Sequence, residues 1–119
     1  MPTIGIFYEA SDGALWLSTR GTFSVLRFDP SARSGSGGKA WTHYTPPQVL
    51  RLVYGIGQTA DGAIWVGGGG ALRRFDGETW TPVTEPEELT MRYADTIYST
   101  PTGELWVGTR YYGAFHYDG

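Results

Sequence analysis

Three copies of one short segment constrain this chain more than any other feature of its sequence. The segment reads DGALWLS at 12–18, DGAIWVG at 61–67 and TGELWVG at 102–108. The turn glycines Gly13 and Gly62 are 49 residues apart, and Gly62 and Gly103 are 41 apart. Repeats of about 40–50 residues occur in β-propellers, where each repeat is a four-stranded blade, and in some helical solenoids.

The segments that accompany each copy favour strands over helices. VLRFD at 25–29, LRRFD at 72–76 and AFHYD at 114–118 follow the three copies, and AWTHYT at 40–45 and TWTPVT at 79–84 follow the first two. Each segment is short, rich in β-branched and aromatic residues, and bounded by Gly, Asp, Pro or Thr. Apolar residues at helical spacing over ten or more positions are absent, so the pattern predicts strands.

The Asp-Gly pair ahead of the apolar run predicts a hairpin, because glycine takes the positive φ of a tight turn. The strand before each turn therefore pairs with the strand that carries the tryptophan. We predict an all-β chain of antiparallel β-propeller blades. Blade 1 covers about 4–45, with a flexible Gly/Ser-rich insertion at 30–38; blade 2 covers about 53–84; blade 3 covers about 95–119 and lacks its outer strand.

The tryptophan strands are apolar on both sides, as in Ile64, Trp65 and Val66. Such a strand needs cover on both faces, and stacked blades supply it. We therefore predict that the repeat tryptophans, Trp16, Trp65 and Trp106, pack between blades as a structural core and are not sugar-stacking platforms. Trp41 and Trp80, on the outer strands, are expected to be structural and half-exposed.

The repeats resemble the two-component regulator propeller repeat, whose usual form is roughly D-G-x-[LI]-W-[IV]-G-T followed by an aliphatic-x-R-[FY]-[DN] strand. The resemblance covers nearly the whole chain except the insertion. It departs at Gly68, Gly69 and Thr102, which replace the usual Thr, Arg and Asp. The resemblance implies an extracytoplasmic sensor region of a hybrid histidine kinase, and some members of the family are thought to sense glycan fragments.

Composition excludes several classes of function. The absence of cysteine excludes disulfides, thiol nucleophiles and cysteine-ligated metals, and a net charge of −3 leaves no broad basic surface for nucleic acid. No apolar stretch approaches the roughly 20 residues of a membrane span, and no signal peptide is recognisable at the start. We expect no metal and no cofactor.

The sequence offers little support for catalysis. His43 and His116 have no second ligand at metal-binding spacing. The GGGG run at 67–70 lacks the Lys-Ser/Thr and the helix of a phosphate loop, so a tight turn explains it better. The acidic residues recur with the repeat because Asp favours turns; they are Asp12, Asp29, Asp61, Asp76 and Asp118. We expect no enzymatic activity, since a glycan-cleaving enzyme rests on fold analogy alone.

Residues that break the repeat are the candidate ligand-binding set. They lie in the loops that join the second strand to the third and each outer strand to the next blade, and these loops share one rim of a propeller. The set is Arg20, Arg51, Arg92, Tyr93, Arg110, Tyr111 and Tyr112. Arg and Tyr can bind sugars or carboxylates by stacking and forked hydrogen bonds, although solvated rim residues explain them too.

Three blades are too few to close a propeller, which has 4–8. Either further blades of a longer chain complete the ring, or two copies associate head to tail into six blades. The function expected is ligand sensing or binding, with carbohydrate as a candidate ligand; the alternative is a structural or protein–protein interaction module. An extracytoplasmic location follows only from the resemblance.

The insertion gives a first prediction. Replacing PSARSGSGG at 30–38 with a two-residue turn should leave the free energy of unfolding nearly unchanged, because shortening a loop changes its closure entropy little. Urea denaturation of the parent and the shortened chain measures this. Loss of cooperative folding in the shortened chain would show that the loop packs on the blades.

Overall fold

The computed structural model describes residues 3–20, 25–30, 41–44, 52–69, 71–83, 94–109 and 113–117, and these residues form strands and turns. The strands are β1 (Thr3–Glu9), β2 (Leu15–Arg20), β3 (Val25–Phe28), β4 (Trp41–Tyr44), β5 (Leu52–Gln58), β6 (Ile64–Gly69), β7 (Ala71–Phe75), β8 (Trp80–Pro82), β9 (Ala94–Ser99), β10 (Leu105–Thr109) and β11 (Ala114–Tyr117). Over these ranges we find no helix that is long and apolar enough to cross a membrane.

The strands form three antiparallel sheets in chain order, β1-β2-β3-β4, β5-β6-β7-β8 and β9-β10-β11. We call these blade A, blade B and blade C. The predicted all-β fold of antiparallel blades is confirmed, and the described residues form an open row of blades, not a closed ring. Nearly all of the predicted insertion at 30–38 lies outside the described residues.

The hairpin between the first two strands of each blade has the same geometry three times. Gly13, Gly62 and Gly103 have φ of 89°, 90° and 90°, which a side chain would disfavour. In blade B the amide of Gly62 donates to the carbonyl of Thr59 at 2.9 Å, and the amide of Thr59 donates to the carbonyl of Ala63 at 3.1 Å. The glycine of the repeat is therefore required by the turn.

Blades A and B share one hydrophobic core built around Trp16, which is 3% exposed. Its ring lies 5.8 Å from Phe75 and 6.3 Å from Trp80, both in edge-on geometry, and stacks on Tyr44 at 5.6 Å. Phe75 and Trp80 are themselves stacked at 4.7 Å. The tryptophan of blade A thus packs against an aromatic pair of blade B.

Blades B and C share a second core around Trp65, which is 6% exposed and lies 5.0 Å from the ring of Tyr117. Burial in this core raises the pKa of Tyr117 to about 12. A Cβ added to Gly57 would lie 2.6 Å from both Ile97 Cγ2 and Ser99 Oγ. Glycine is therefore needed in β5 because β9 approaches it closely.

Trp106 departs from the prediction that all three repeat tryptophans pack between blades. Its side chain is 44% exposed, and its ring lies 4.5 Å from that of His116, on the same face of blade C. The register explains the difference: each tryptophan points toward the next blade in chain order, and no blade beyond C is present among the described residues. Trp106 has the inter-blade position without the neighbouring blade.

The contrast between Trp65 and Trp106 gives a second prediction. Trp65→Ala should lower the free energy of unfolding by about 3–5 kcal/mol, because it empties a buried aromatic site. The matched Trp106→Ala should cost about 1 kcal/mol or less, since much of that ring is already in water. Urea denaturation followed by far-UV circular dichroism measures both. Equal losses in the two variants would contradict the assignment of Trp65 to a core.

Candidate functional site in an inner groove

The ligand-binding set predicted from sequence falls almost entirely outside the described residues. Arg20 ends β2 and its backbone pairs with Thr3, at the end of blade A opposite the turn at Gly13. Arg51, Arg92, Tyr93, Arg110, Tyr111 and Tyr112 are not among the described residues. That set stays a prediction.

The described residues instead form a groove along the inner strands β1, β5 and β9. One cavity of about 420 Å³ is lined by Ile6, Phe7, Tyr8, Tyr54, Gly55, Ile56, Thr96, Ile97, Tyr98 and Ser99. The rings of Phe7 and Tyr98 are each 60% exposed. We call this the aromatic half of the inner groove.

A β-bulge gives Tyr54 its place in the aromatic half. The register of β5 on β6 shifts between Val53 and Gly55, so Tyr54 is the extra residue on its strand. A similar shift lies between Ile4 and Ile6 in β1. Bulges redirect side chains and are frequent beside functional sites. Tyr54, at the bulge in β5, is thus a residue of the middle blade that lines the groove.

The second cavity lies at the turn end of the same strands and has a volume of about 370 Å³. Its lining consists of Tyr8, Glu9, Ala10, Ser11, Gln58, Thr59, Ala60, Thr100, Pro101, Thr102 and Gly103. Tyr8 lines both cavities, so the two adjoin at this residue. We call this the polar half of the inner groove.

Hydrogen bonds between blades link residues that line the polar half. The amide of Ser11 donates to Gln58 Oε1 at 2.8 Å, and Gln58 Nε2 donates to the carbonyl of Gly62 at 3.2 Å. The amide of Ala60 donates to the carbonyl of Gly103 at 3.1 Å, which links blade B to blade C. All three blades therefore contribute to a preformed surface.

The chemistry of the groove favours an uncharged, hydroxyl-rich ligand. Among its described lining residues, Glu9 is the one carboxylate and no Lys, Arg or His is present. Phosphate and carboxylate ligands normally require such cations. Aromatic faces beside hydroxyl, amide and backbone groups can instead stack on apolar ligand faces and exchange hydrogen bonds with hydroxyls.

Acid–base pairs lie on each blade outside the inner groove. Arg27 pairs with Asp12 at 3.2 Å, Arg74 with Asp61 at 2.6 Å, and His116 Nε2 lies 2.6 Å from Glu104 Oε1. The hydrogen bond from His116 is the main cause of a lowered pKa of Glu104. His116 is thus an inter-strand partner, and the described part of the chain has no cluster of three or more His, Asp or Glu residues placed for a metal ion.

Asp61 connects the turn of blade B to the buried Trp65. Trp65 Nε1 donates to Thr59 Oγ1 at 2.9 Å, and Thr59 Oγ1 donates to Asp61 Oδ1 at 2.6 Å. The hydrogen bond from Thr59, with further bonds from the Ala63 amide and Arg74, holds the pKa of Asp61 below its usual value of 3.8. Blade A lacks this connection, because Ala10 stands where blade B has Thr59.

The fold is similar to that of a solved extracellular domain. The domain, assigned to the hybrid two component system BT3049 from B. thetaiotaomicron, superimposes with a TM-score of 0.63 at 18% identity over 98% of the present chain. The present chain spans 17% of the length of that domain. No family model matches the sequence, and no curated protein matches it. At this identity the likeness shows the fold.

Sequence reasoning missed the inner groove because it looked for departures from the repeat in the loops. A usable signal was present: the inner strands contain IFYE, VYGIG and TIYS, each with a tyrosine. The bulge that directs Tyr54 into the groove depends on its pairing register with β6, which the sequence pattern did not reveal.

The Asp61 connection gives a third prediction. Because the folded pKa is lowered, the stabilisation by Asp61 is present above about pH 3.8 and is lost as the pH falls through the folded pKa. Asp61→Asn should therefore be less stable at neutral pH and lose less stability on acidification. Urea denaturation at a series of pH values tests this.

Asp76→Asn is the matched control for this prediction. Asp76 also has a lowered pKa, chiefly through the amides of Thr79 and Glu78, but it does not contact Thr59. Hydrogen exchange at the Trp65 indole should quicken in Asp61→Asn and stay unchanged in Asp76→Asn. Unchanged exchange in both variants would refute the connection.

Proposed function

We propose that this chain is a non-enzymatic ligand-binding part of a β-propeller sensor, and that the inner groove binds an uncharged glycan. The observation that carries the proposal is the composition of the groove. Three blades contribute aromatic residues and neutral polar groups to the lining of the two cavities. Saccharides offer both apolar ring faces and hydroxyls, so they match this lining.

The fold comparison supports the sensing part of the proposal. The structural neighbour is an extracellular domain of a protein assigned to a hybrid two component system, and the repeats resemble those of two-component regulators. We extend from this a sensory role and an extracytoplasmic location to the present chain. The present chain spans only 17% of that neighbour. That such a sensor also has a separate output domain is therefore part of the proposal.

Binding in the groove would couple the blades to one another. A ligand that contacts Tyr8, Tyr54 and Tyr98 would touch one residue of each inner strand. Such a ligand binds the present arrangement of the three strands more tightly than other arrangements. It therefore stabilises the present arrangement. A change in the packing of blades is then the physical signal that ligand binding transmits.

Glycan cleavage is less well supported than binding. Glycoside hydrolysis usually needs two carboxyl groups about 5–9.5 Å apart. The described lining of the groove offers Glu9 alone. A second non-enzymatic function, an interaction module, is favoured by exposed aromatic residues at both ends of the row of blades.

A fourth prediction tests the groove as a glycan site. On an array of neutral oligosaccharides the chain should bind a defined subset, and Tyr54→Ala should weaken binding of those glycans at least tenfold in calorimetry. Tyr54 is chosen because it lies on the middle blade, away from both ends. Tyr54→Phe keeps the ring and should retain more of the affinity than Tyr54→Ala.

Glu78→Ala is the control, because Glu78 is an exposed residue of the β7–β8 turn and does not line the groove. It should bind as the parent does. Absence of binding across the array would overturn the glycan proposal, and release of reducing sugar from a bound glycan would overturn the non-enzymatic assignment.

A further inference from the structure

The large exposed apolar side chains of the described residues lie on two surfaces, at the two ends of the row of blades. Phe7 and Trp41 are 60% and 53% exposed, and Tyr98 and Trp106 are 60% and 44% exposed. By strand pairing, Phe7 and Trp41 lie on the face of blade A that points away from blade B. Tyr98 and Trp106 are paired on the outer face of blade C.

We call the first surface the A end face, which comprises Phe7, Phe28 and Trp41, and the second the C end face, which comprises Tyr98, Trp106 and His116. Each end face has an internal counterpart within the same molecule. Counterparts are residues that have the same position relative to the turn glycines Gly13, Gly62 and Gly103 or the same partner in the strand register.

The A end face repeats the surface of blade B that receives Trp16. Phe28 and Trp41 are paired across β3 and β4 with rings 4.8 Å apart, as Phe75 and Trp80 are paired across β7 and β8 at 4.7 Å. In blade B this aromatic pair is the platform on which Trp16 packs. In blade A the corresponding platform is formed, and Trp41 is exposed on it.

The C end face repeats the surface of blade A that packs on blade B. Trp106 is the counterpart of Trp16, and Tyr98 is the counterpart of Tyr8, which is partly buried against the A–B core. Blade B differs at this position, since it has Gly57 where the other two blades have tyrosine. A junction between the C and A end faces would therefore resemble the A–B junction and not the closer B–C junction.

We propose that the C end face of one copy docks on the A end face of a second copy, with Trp106 placed on the Phe28–Trp41 pair. The two end faces continue the series of interfaces that already joins blade A to blade B. Heterologous contacts of this kind close into a ring when the rotation permits. Propellers have 4–8 blades, and six is the one multiple of three in that range, so the ring contains two copies.

Aromatic packing must supply most of the stability of this junction. Ser11 and Ala60 donate backbone amides to the next blade, but the counterpart in blade C is Pro101, which has no amide hydrogen. Four half-exposed aromatic side chains contribute on the order of 400 Å² per junction. A two-copy ring has two junctions, which brings the aromatic contribution alone close to the roughly 1,000 Å² of a specific interface.

The experiment measures mass in solution by sedimentation equilibrium over about 1–100 μM protein. The parent should approach twice its chain mass of 13.1 kDa within this range. Trp106→Arg and Trp41→Arg should each remain monomeric, with a dissociation constant raised at least tenfold. Both residues are exposed, so circular dichroism should show that the monomers are folded.

Thr81→Arg is the matched control, because it adds the same charge at an exposed position of β8, away from both end faces. It should associate as the parent does. Mixing the two monomeric variants distinguishes head-to-tail docking from face-to-face docking. Trp106→Arg keeps an intact A end face and Trp41→Arg keeps an intact C end face, so the mixture should form a heterodimer through one intact junction, weaker than the parent dimer and tighter than either variant alone.

Two results would overturn the proposal. A parent that stays monomeric throughout the range would show that the end faces do not recruit a second copy. Dimerisation of Trp41→Arg by itself would show a face-to-face contact. Phe7 and Tyr98 belong to both the end faces and the groove lining, so glycan binding is measured separately at Tyr54, which lies on neither end face.

Discussion

The packing of a tryptophan from one blade onto the next is the interaction on which this structure depends. Trp16 lies against Phe75 and Trp80, and Trp65 lies against Tyr117. Large aromatic side chains dominate the energetics of a core, and the tryptophan strand of blade B is buried on both faces by its two neighbours, whereas Trp106 of blade C is exposed. A single blade would leave one such strand in water, so the blades are stable as a row.

The groove is a consequence of this row. Because each tryptophan holds the next blade at a fixed position, the inner strands β1, β5 and β9 line the same cavities. Backbone bonds such as that from Ala60 to Gly103 then set the floor of the groove. The surface proposed to bind a glycan is thus assembled from three blades, and a change in blade packing would alter it directly.

The repeat that builds the two cores also places the residues of such a core on two exposed surfaces. Blade A presents the aromatic pair that receives a tryptophan, and blade C presents the tryptophan. These surfaces have their shape because they are copies of surfaces that are buried inside the molecule. Among the described residues no further blade covers either surface.

The sequence by itself determined the strands, the hairpin turns and the blade repeat, because all three depend on local chemistry. The glycine before each apolar run takes a positive φ, and the consecutive apolar residues Ile64, Trp65 and Val66 require cover on two faces. Within each blade the sequence also placed the tryptophan strand beside the inner strand. The residues of a short segment are enough to specify these properties.

Only the tertiary structure decided which of these residues are covered and which line a groove. Trp65 and Trp106 occupy the same position of the repeat and are both followed by Val-Gly, yet one is 6% and the other 44% exposed, because burial depends on the presence of a neighbouring blade. Tyr54 enters the groove through a bulge set by its pairing with β6. Gly57 is required because β9 lies against it, a contact across 40 residues of chain that no local pattern records.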